Sequence, residues 1–254
     1  MTSPDRTHEF AAEQGRRSLS THPSSEFAGQ TSGRTRPVRY GMFLRPDPRT
    51  CWHITQATSA LRAQFGLISA GAFPPHATLI GNLCTEHGES DLTAVIDPVL
   101  SSLTAFPVYN SGLARGTNNG HTTYEYNINL DPTTTLPNVD LNRVAKAVKA
   151  AVLPLSKPVR DRFSTPVADY EFAGHLGIAS HELMIDGHLS EEVGEYLHQL
   201  PIDPPPAMFM ARWFTLYAIT SADWGGNWWE SLAWRVVRSW RATEPPKAAS
   251  TLAE

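Results

Sequence analysis

The apolar pattern of the chain predicts an α+β fold assembled from antiparallel strands. Three observations carry this. Short apolar runs alternate with segments of helical period in the order β-α-β-α-β-β-α-β-α-β-β. Two of the runs flank a Thr117-Asn118-Asn119-Gly120 segment, a strong hairpin signal. The first and second halves also look alike, each giving a strand, a helix and then a hairpin. A charged fraction of 18% and 20 prolines among 254 residues favour a core with proline-punctuated loops over a helical bundle or coiled coil.

The elements follow in order. Val38 to Leu44 reads as a strand stopped by Pro46. Asp47-Pro48 then supplies an N-cap and a proline at the first helical position for a helix running to about Phe65. Ala77 to Leu83 is a second strand, and Ser90 opens a helix in which Leu92, Ile96, Leu100 and Leu103 recur at helical spacing. Phe106 to Ala114 and Thr122 to Leu130 form the predicted hairpin. A helix from Asn138 to about Leu153 carries Leu141, Val144, Val148 and Val152 on one stripe, and Pro154 to Pro166 reads as a loop. Phe172 to Ala179 is a strand, Ser190 caps a helix through Leu200, and PIDPPP breaks the chain before a long strand from Met208 to Thr220. A turn at Gly225 and Gly226 leads to a last strand from Ser231 to Trp240.

Composition bounds the function. A hydrophobic fraction of 41% rules out disorder for the bulk of the chain. The Ser/Thr/Gly/Arg-rich residues 1–36 and the final ATEPPKAASTLAE, residues 242–254, read as disordered tails around one domain at 37–241. A net charge of −4 argues against coating long nucleic acid but leaves room for a local phosphate site. The apolar stretch from Ala145 to Leu155 is interrupted by Lys146 and Lys149, and no segment approaches the ~20 apolar residues of a membrane span. Cys51 and Cys84 have no partner at metal-ligand spacing and read as small buried apolar residues. The N-terminal MTSPDRTHEF has no apolar signal region, so a cytoplasmic protein is the expectation, and it is expected to act as a monomer.

The likeness of the halves has a chemical counterpart. Phe73-Pro-Pro-His76-Ala-Thr78-Leu79-Ile80 puts a histidine at the start of an apolar strand with a threonine two residues on, and residues i and i+2 of a strand share a face. Ninety-nine residues later Phe172-Ala-Gly-His175-Leu-Gly177-Ile178-Ala179 repeats the histidine at a matching point of another strand. Two imidazoles presented from equivalent strands form a natural acid/base pair. A histidine at a strand start is also what an ordinary surface or hydrogen-bonded residue looks like. It is the proline-proline lead and the second-half counterpart that favour function.

PPHATLIG resembles the first signature, His-x-Thr/Ser-hydrophobic, of the 2H phosphoesterase superfamily, which includes 2′-5′ RNA ligase-like proteins and cyclic nucleotide phosphodiesterases. GHLGIA matches the second signature in its histidine and apolar frame, but Gly177 stands where that family has Thr or Ser. Ser180, five positions beyond His175, would face the opposite side of a regular strand unless a bulge intervened. The strand and helix before His76, the closing Trp213-Phe-Thr-Leu-Tyr217 strand and the Trp-rich strand after it extend the resemblance over residues 37–241.

The resemblance implies a bilobal fold: two pseudo-symmetric antiparallel-sheet lobes with outer helices around a central cleft. It also implies cofactor-free, metal-independent opening of a 2′,3′-cyclic phosphate or related phosphodiester of a small nucleotide or short RNA end. His76 and His175 would be the catalytic pair and Thr78 would hold a phosphate oxygen. At Gly177 a backbone N–H, a water or another side chain would take over that task.

Further contacts are read from position. Tyr217 is the preferred base-stacking aromatic, and Arg160 and Arg162 sit in the loop before the second motif, where they could guide a phosphate. His181 and His188 follow His175 at a spacing that fits no zinc pattern and read as structural or surface residues, while His53 reads as amphipathic or solvent-facing. Trp224, Trp228, Trp229, Trp234 and Trp240 read as packing residues. The absence of G-x-x-x-x-G-K-[ST], G-x-G-x-x-G and G-x-S-x-G leaves NTP-driven, dinucleotide and α/β-hydrolase chemistries without support. Two alternatives stay open: a nucleotide-binding module in which loss of the second hydroxyl has ended turnover, and a metal hydrolase using His175, His181 and His188.

Overall fold

The computed structural model describes residues 36–118, 121–131, 133–162 and 164–245. The Asn119-Gly120 tip of the expected hairpin turn and the bulk of both expected tails lie outside the described residues.

Strand β1 (Val38–Arg45) lies between β2 (Ala77–Leu83) and β8 (Trp213–Thr220), and β9 (Ala233–Arg241) completes a four-stranded antiparallel sheet in the order β2-β1-β8-β9. A central strand is covered on both faces, which is why Met42, Phe43 and Leu44 run without polar alternation. Helix α1 (Pro48–Phe65) begins as its sequence dictates. The Asp47 carboxylate accepts from the Arg49 and Thr50 N–H groups at 2.9 and 3.3 Å, and Gly66 ends the helix at φ 72°. Helix α2 (Glu89–Leu100) buries Leu92, Ile96 and Leu100.

The predicted strand Phe106 to Ala114 is two strands in two sheets. β3 (Phe106–Tyr109) pairs with β7 (Met208–Ala211), whereas β4 (Leu113–Asn118) opens a three-stranded sheet, β4-β5-β6, with β5 (His121–Asn127) and β6 (His175–Ala179). The break has a local cause: Gly112 at φ 103° and buried Asn110, whose Oδ1 accepts from the Gly112 N–H while its Nδ2 donates to the Pro206 carbonyl. The long strand predicted from Met208 breaks likewise, at Arg212, whose carbonyl accepts from the Ala242 N–H. The chain is thereby held in the fold beyond residue 241: Ala242 is buried and Thr243 bridges to Thr104.

Helix α3 (Val139–Val152) lies where expected, is capped by Asn138 and buries Leu141, Val144, Val148 and Val152. The second motif strand starts at His175, three residues later than predicted, and runs into a short helix that the sequence pattern did not reveal, α4 (His181–Ile185). Helix α5 (Leu189–Gln199) has His188, not Ser190, at its N-cap position. Ser190 is buried in its first turn, and its carbonyl accepts from the Tyr124 hydroxyl at 2.6 Å. Among the described residues no helix is long and apolar enough to cross a membrane.

Candidate active site

The two histidines are mounted in the same way. His76 immediately precedes β2 and His175 begins β6. In each case the ring Nδ1 lies 2.7 Å from the carbonyl two residues upstream, Pro74 for His76 and Ala173 for His175. A carbonyl only accepts, so Nδ1 carries the hydrogen in both rings and Nε2 is the nitrogen left for chemistry. Alternation then sorts the strands: Ala77 and Leu79, and Leu176 and Ile178, go into the core, while His76, Thr78, His175 and Gly177 line one pocket of about 600 Å³.

Two links hold the motif strands in relation to each other. The Tyr170 hydroxyl, in the loop before β6, donates to the Thr78 carbonyl at 3.0 Å. The Glu182 carboxylate on α4 accepts from the Ile68 and Ser69 N–H groups at 2.6 Å each, and also from the Ser69 hydroxyl, in the segment that leads to His76. His181-Glu182 is therefore a clamp on the neighbouring segment, and His188 stands at the start of α5 outside the pocket lining. No group of three or more potential metal ligands occurs among the described residues.

The surroundings of His76 decide its charge. Its ring packs edge-on against Phe43 and Phe73 at centroid distances of 4.5 and 5.0 Å. This desolvation pushes its pKa down to about 4. The bond to the Pro74 carbonyl works the other way, and repulsion from His175 lowers the pKa further. His181, also in the pocket wall, is pushed down to about 4 by burial against the edge of Trp228 and the ring of Trp229, opposed by Glu182. Both rings stay neutral in the fold below the ordinary value of 6.5, where the unfolded chain takes up the protons. Their contribution to stability is therefore complete above pH 6.5, declines from 6.5 toward 4, and falls no further below that. Chemical denaturation from pH 8 to 4 is expected to show this decline; a flat profile between 6.5 and 5 would contradict it.

The remaining expected site residues divide. Thr78 and Gly177 reach the pocket; Tyr217, Arg160 and Arg162 do not line it. Tyr217 is 2% exposed and packed against Phe43, Phe73 and Trp234, behind the wall, because at this position β8 is covered on both faces. Arg160 is turned outward in a 2.5 Å ion pair with Asp169, and Arg162 is exposed. His53 is a core residue at 8% exposure, not a solvent-facing one. Cys51 and Cys84 are unpaired thiols, and burial pushes Cys51 up to about 11 and raises Cys84, so neither is poised as a thiolate.

Other residues stand in the pocket wall instead. Trp224 and Trp228, read from sequence as packing, both line the pocket with near-parallel rings 6.2 Å apart, and the Arg39 guanidinium lies 4.2 Å from the Trp224 ring centre. No Lys or Arg is among the described residues lining the pocket, whereas Glu125, Asp169 and Glu171 are. Ser180 lines it too, against the expectation from strict alternation. Between Tyr124 and Glu125 the β5–β6 register slips, so that one step on β5 spans two on β6 and Ile178 is the extra residue.

No protein-family model and no curated protein matches the chain. Among solved structures it is similar to TT0787 of Thermus thermophilus, with 14% identity and a TM-score of 0.52 over 81% of this chain and 98% of that one. It is also similar to E. coli LigT complexed with 3'-AMP (16% identity, TM-score 0.44, 82% and 99% of the two chains) and to Kluyveromyces marxianus Usb1 (13%, 0.37, 79% and 98%). At this identity the likeness to TT0787 is one of fold.

Proposed function

We propose that the protein is a 2H-type phosphoesterase that hydrolyses a cyclic phosphodiester of a small nucleotide with His76 and His175 as its acid/base pair. The observation that carries this reading is the identical mounting of the two rings in one pocket, each with Nδ1 spent on a backbone carbonyl and Nε2 left for the substrate. His76, held neutral, is the base: its Nε2 takes a proton from water as the water oxygen bonds to phosphorus. His175 gives a proton to the ribose oxygen as the bond from that oxygen to phosphorus breaks. One water is consumed, a phosphomonoester and a free hydroxyl are produced, and solvent returns the two rings to their starting states. Thr78 holds a non-bridging oxygen where charge grows.

The lining supports a substrate of modest charge. With no Lys or Arg lining the pocket among the described residues, little there meets more than a single phosphodiester charge, and Trp224, Trp228 and Leu232 offer a wall for a base.

The test is turnover by protein treated with EDTA. A nucleoside 2′,3′-cyclic phosphate is expected to open to a monophosphate, followed by 31P NMR, whereas tight binding without product would favour the binding-module alternative. The pH dependence adds a signature. In the free enzyme the acid limb follows His76, so kcat/KM should hold down to about pH 4 and not fall near 6.5. A bound phosphate anion offsets the desolvation of that ring, so the acid limb of kcat should lie at higher pH than that of kcat/KM. Coincident limbs near 6.5 would remove His76 from the role of base.

A further inference from the structure

We propose that Ser180 supplies the second hydroxyl of the site, the one that Gly177 withholds, and that His181 positions it; the proposal rests on the phosphoesterase reading above. Both motif strands carry a register shift directly after the His-x-Thr or His-x-Gly triplet, and β2 carries a second between Ile80 and Leu83. On β2 the pairing steps from Thr78 opposite Phe43 to Ile80 opposite Met42, so Leu79 is an extra residue directly after the His-x-Thr triplet. On β6 it steps from Gly177 opposite Glu125 to Ala179 opposite Tyr124, so Ile178 is extra directly after the His-x-Gly triplet. After each bulge two successive residues go into the core, Leu79 and Ile80 on one strand and Ile178 and Ala179 on the other. The next residue, Gly81 or Ser180, returns to the pocket.

Positions 78 and 177 therefore correspond, as do 81 and 180, and their contents are exchanged: hydroxyl then glycine on β2, glycine then hydroxyl on β6. The β2 geometry shows that the two positions adjoin, since a Cβ built on Gly81 would lie 3.2 Å from the Thr78 methyl carbon. Ser180, the residue after β6, is the counterpart of Gly81 in sequence order and lines the same pocket as Gly177. The space beside Gly177 is open, for a Cβ there meets nothing within 4 Å.

The hydroxyl is also held. Ser180 Oγ lies 3.0 Å from Nδ1 of His181, whose ring is fixed between Trp228 and Trp229. Burial keeps that imidazole neutral, so as the Nδ1–H tautomer it can donate to Oγ and leave the serine proton for a non-bridging phosphate oxygen. A preoriented hydroxyl on developing charge is worth roughly 10²–10³ in rate.

The experiment compares Ser180→Ala, Ser180→Thr and the double variant Ser180→Ala/Gly177→Thr on a nucleoside 2′,3′-cyclic phosphate, with thermal melting as the check on folding. Ser180→Ala is expected to lower kcat by roughly 10²-fold and Ser180→Thr to keep most of it. Gly177→Thr should recover at least tenfold of the loss in the Ser180→Ala background, a rescue that a merely structural serine would not show. Ser180→Ala activity within threefold of wild type, or no rescue in a folded double variant, overturns the proposal. If Ser180→Ala fails to fold, loss of activity in a folded Ser180→Thr decides against it and retention supports it. Unimpaired His76→Ala and His175→Ala variants would instead sink the phosphoesterase reading itself, so the two failures are distinguishable.

Discussion

His76→Ala and His175→Ala are each expected to lower kcat on a nucleoside 2′,3′-cyclic phosphate by roughly 10²–10⁴-fold, the range of a positioned proton donor or acceptor. Both should fold. Burial of the His76 ring among Phe43 and Phe73 costs stability only below pH 6.5, where the unfolded imidazole is protonated, so at neutral pH its removal relieves no charge and breaks one hydrogen bond. Each ring makes one hydrogen bond through Nδ1, to Pro74 or Ala173. The double variant should be little worse than either single one if the two rings act as one acid/base pair, since residues that act as a unit are not additive. Single-turnover assays with circular dichroism of each variant make the measurement. A residual rate within fivefold of wild type in either single variant would dissolve the pairing.

A second phosphate on the substrate is expected to cost at least tenfold in kcat/KM. The sign follows from the lining: three histidines, of which His76 and His181 are held neutral, and no Lys or Arg among the described lining residues to meet another charge. Glu125, opposite Gly177 on the neighbouring strand, and Glu171 face the same pocket. A unit charge ~8 Å from one carboxylate at an effective dielectric of ~20 costs about 2 kcal/mol, and solvent and salt screen part of it. The comparison is between a nucleoside 2′,3′-cyclic phosphate and the same compound bearing a 5′-phosphate, with Glu125→Gln expected to narrow the gap. Equal kcat/KM for the two substrates would show that charge matching at this wall does not select the ligand.

Local chemistry made much of the fold legible. The Asp47-Pro48 start of α1, the extents of α1 and α3 and the apolar stripes of α2 and α3 are short-range codes, and the chain obeys them. Failures fall where non-local pairing decides. One apolar run from Phe106 and another from Met208 read as continuous strands, yet each is divided between two sheets, and the dividing residues, Asn110 to Gly112 and Arg212, are stabilised by partners far away in sequence. Helix α4 escaped notice because His181–Ile185 is too short to show a period and is anchored by Glu182 to the segment after α1.

The candidate site divides in the same way. His76, Thr78 and His175 were legible because a histidine at a strand start, with alternation behind it, needs only the local backbone to point it. Tyr217, Arg160 and Arg162 were misplaced because burial and ion pairing are set by what packs against a residue, here Phe73 and Trp234 on Tyr217 and Asp169 on Arg160. Trp224 and Trp228 look like core residues in a composition and become a wall only when their loop is laid beside β6 and α4.

What the sequence determined by itself is the placement of the candidate groups: two imidazoles and one hydroxyl at strand starts, pointed by the local alternation of their own residues. What only the tertiary structure decided is the inventory that surrounds them, above all that Ser180 turns into the pocket. Alternation assigns Ser180 to the opposite face, and it is one unpaired residue in the β5–β6 ladder, Ile178, that reverses the assignment. A bulge is a property of two strands in register, and register is fixed by which faces the whole core must bury.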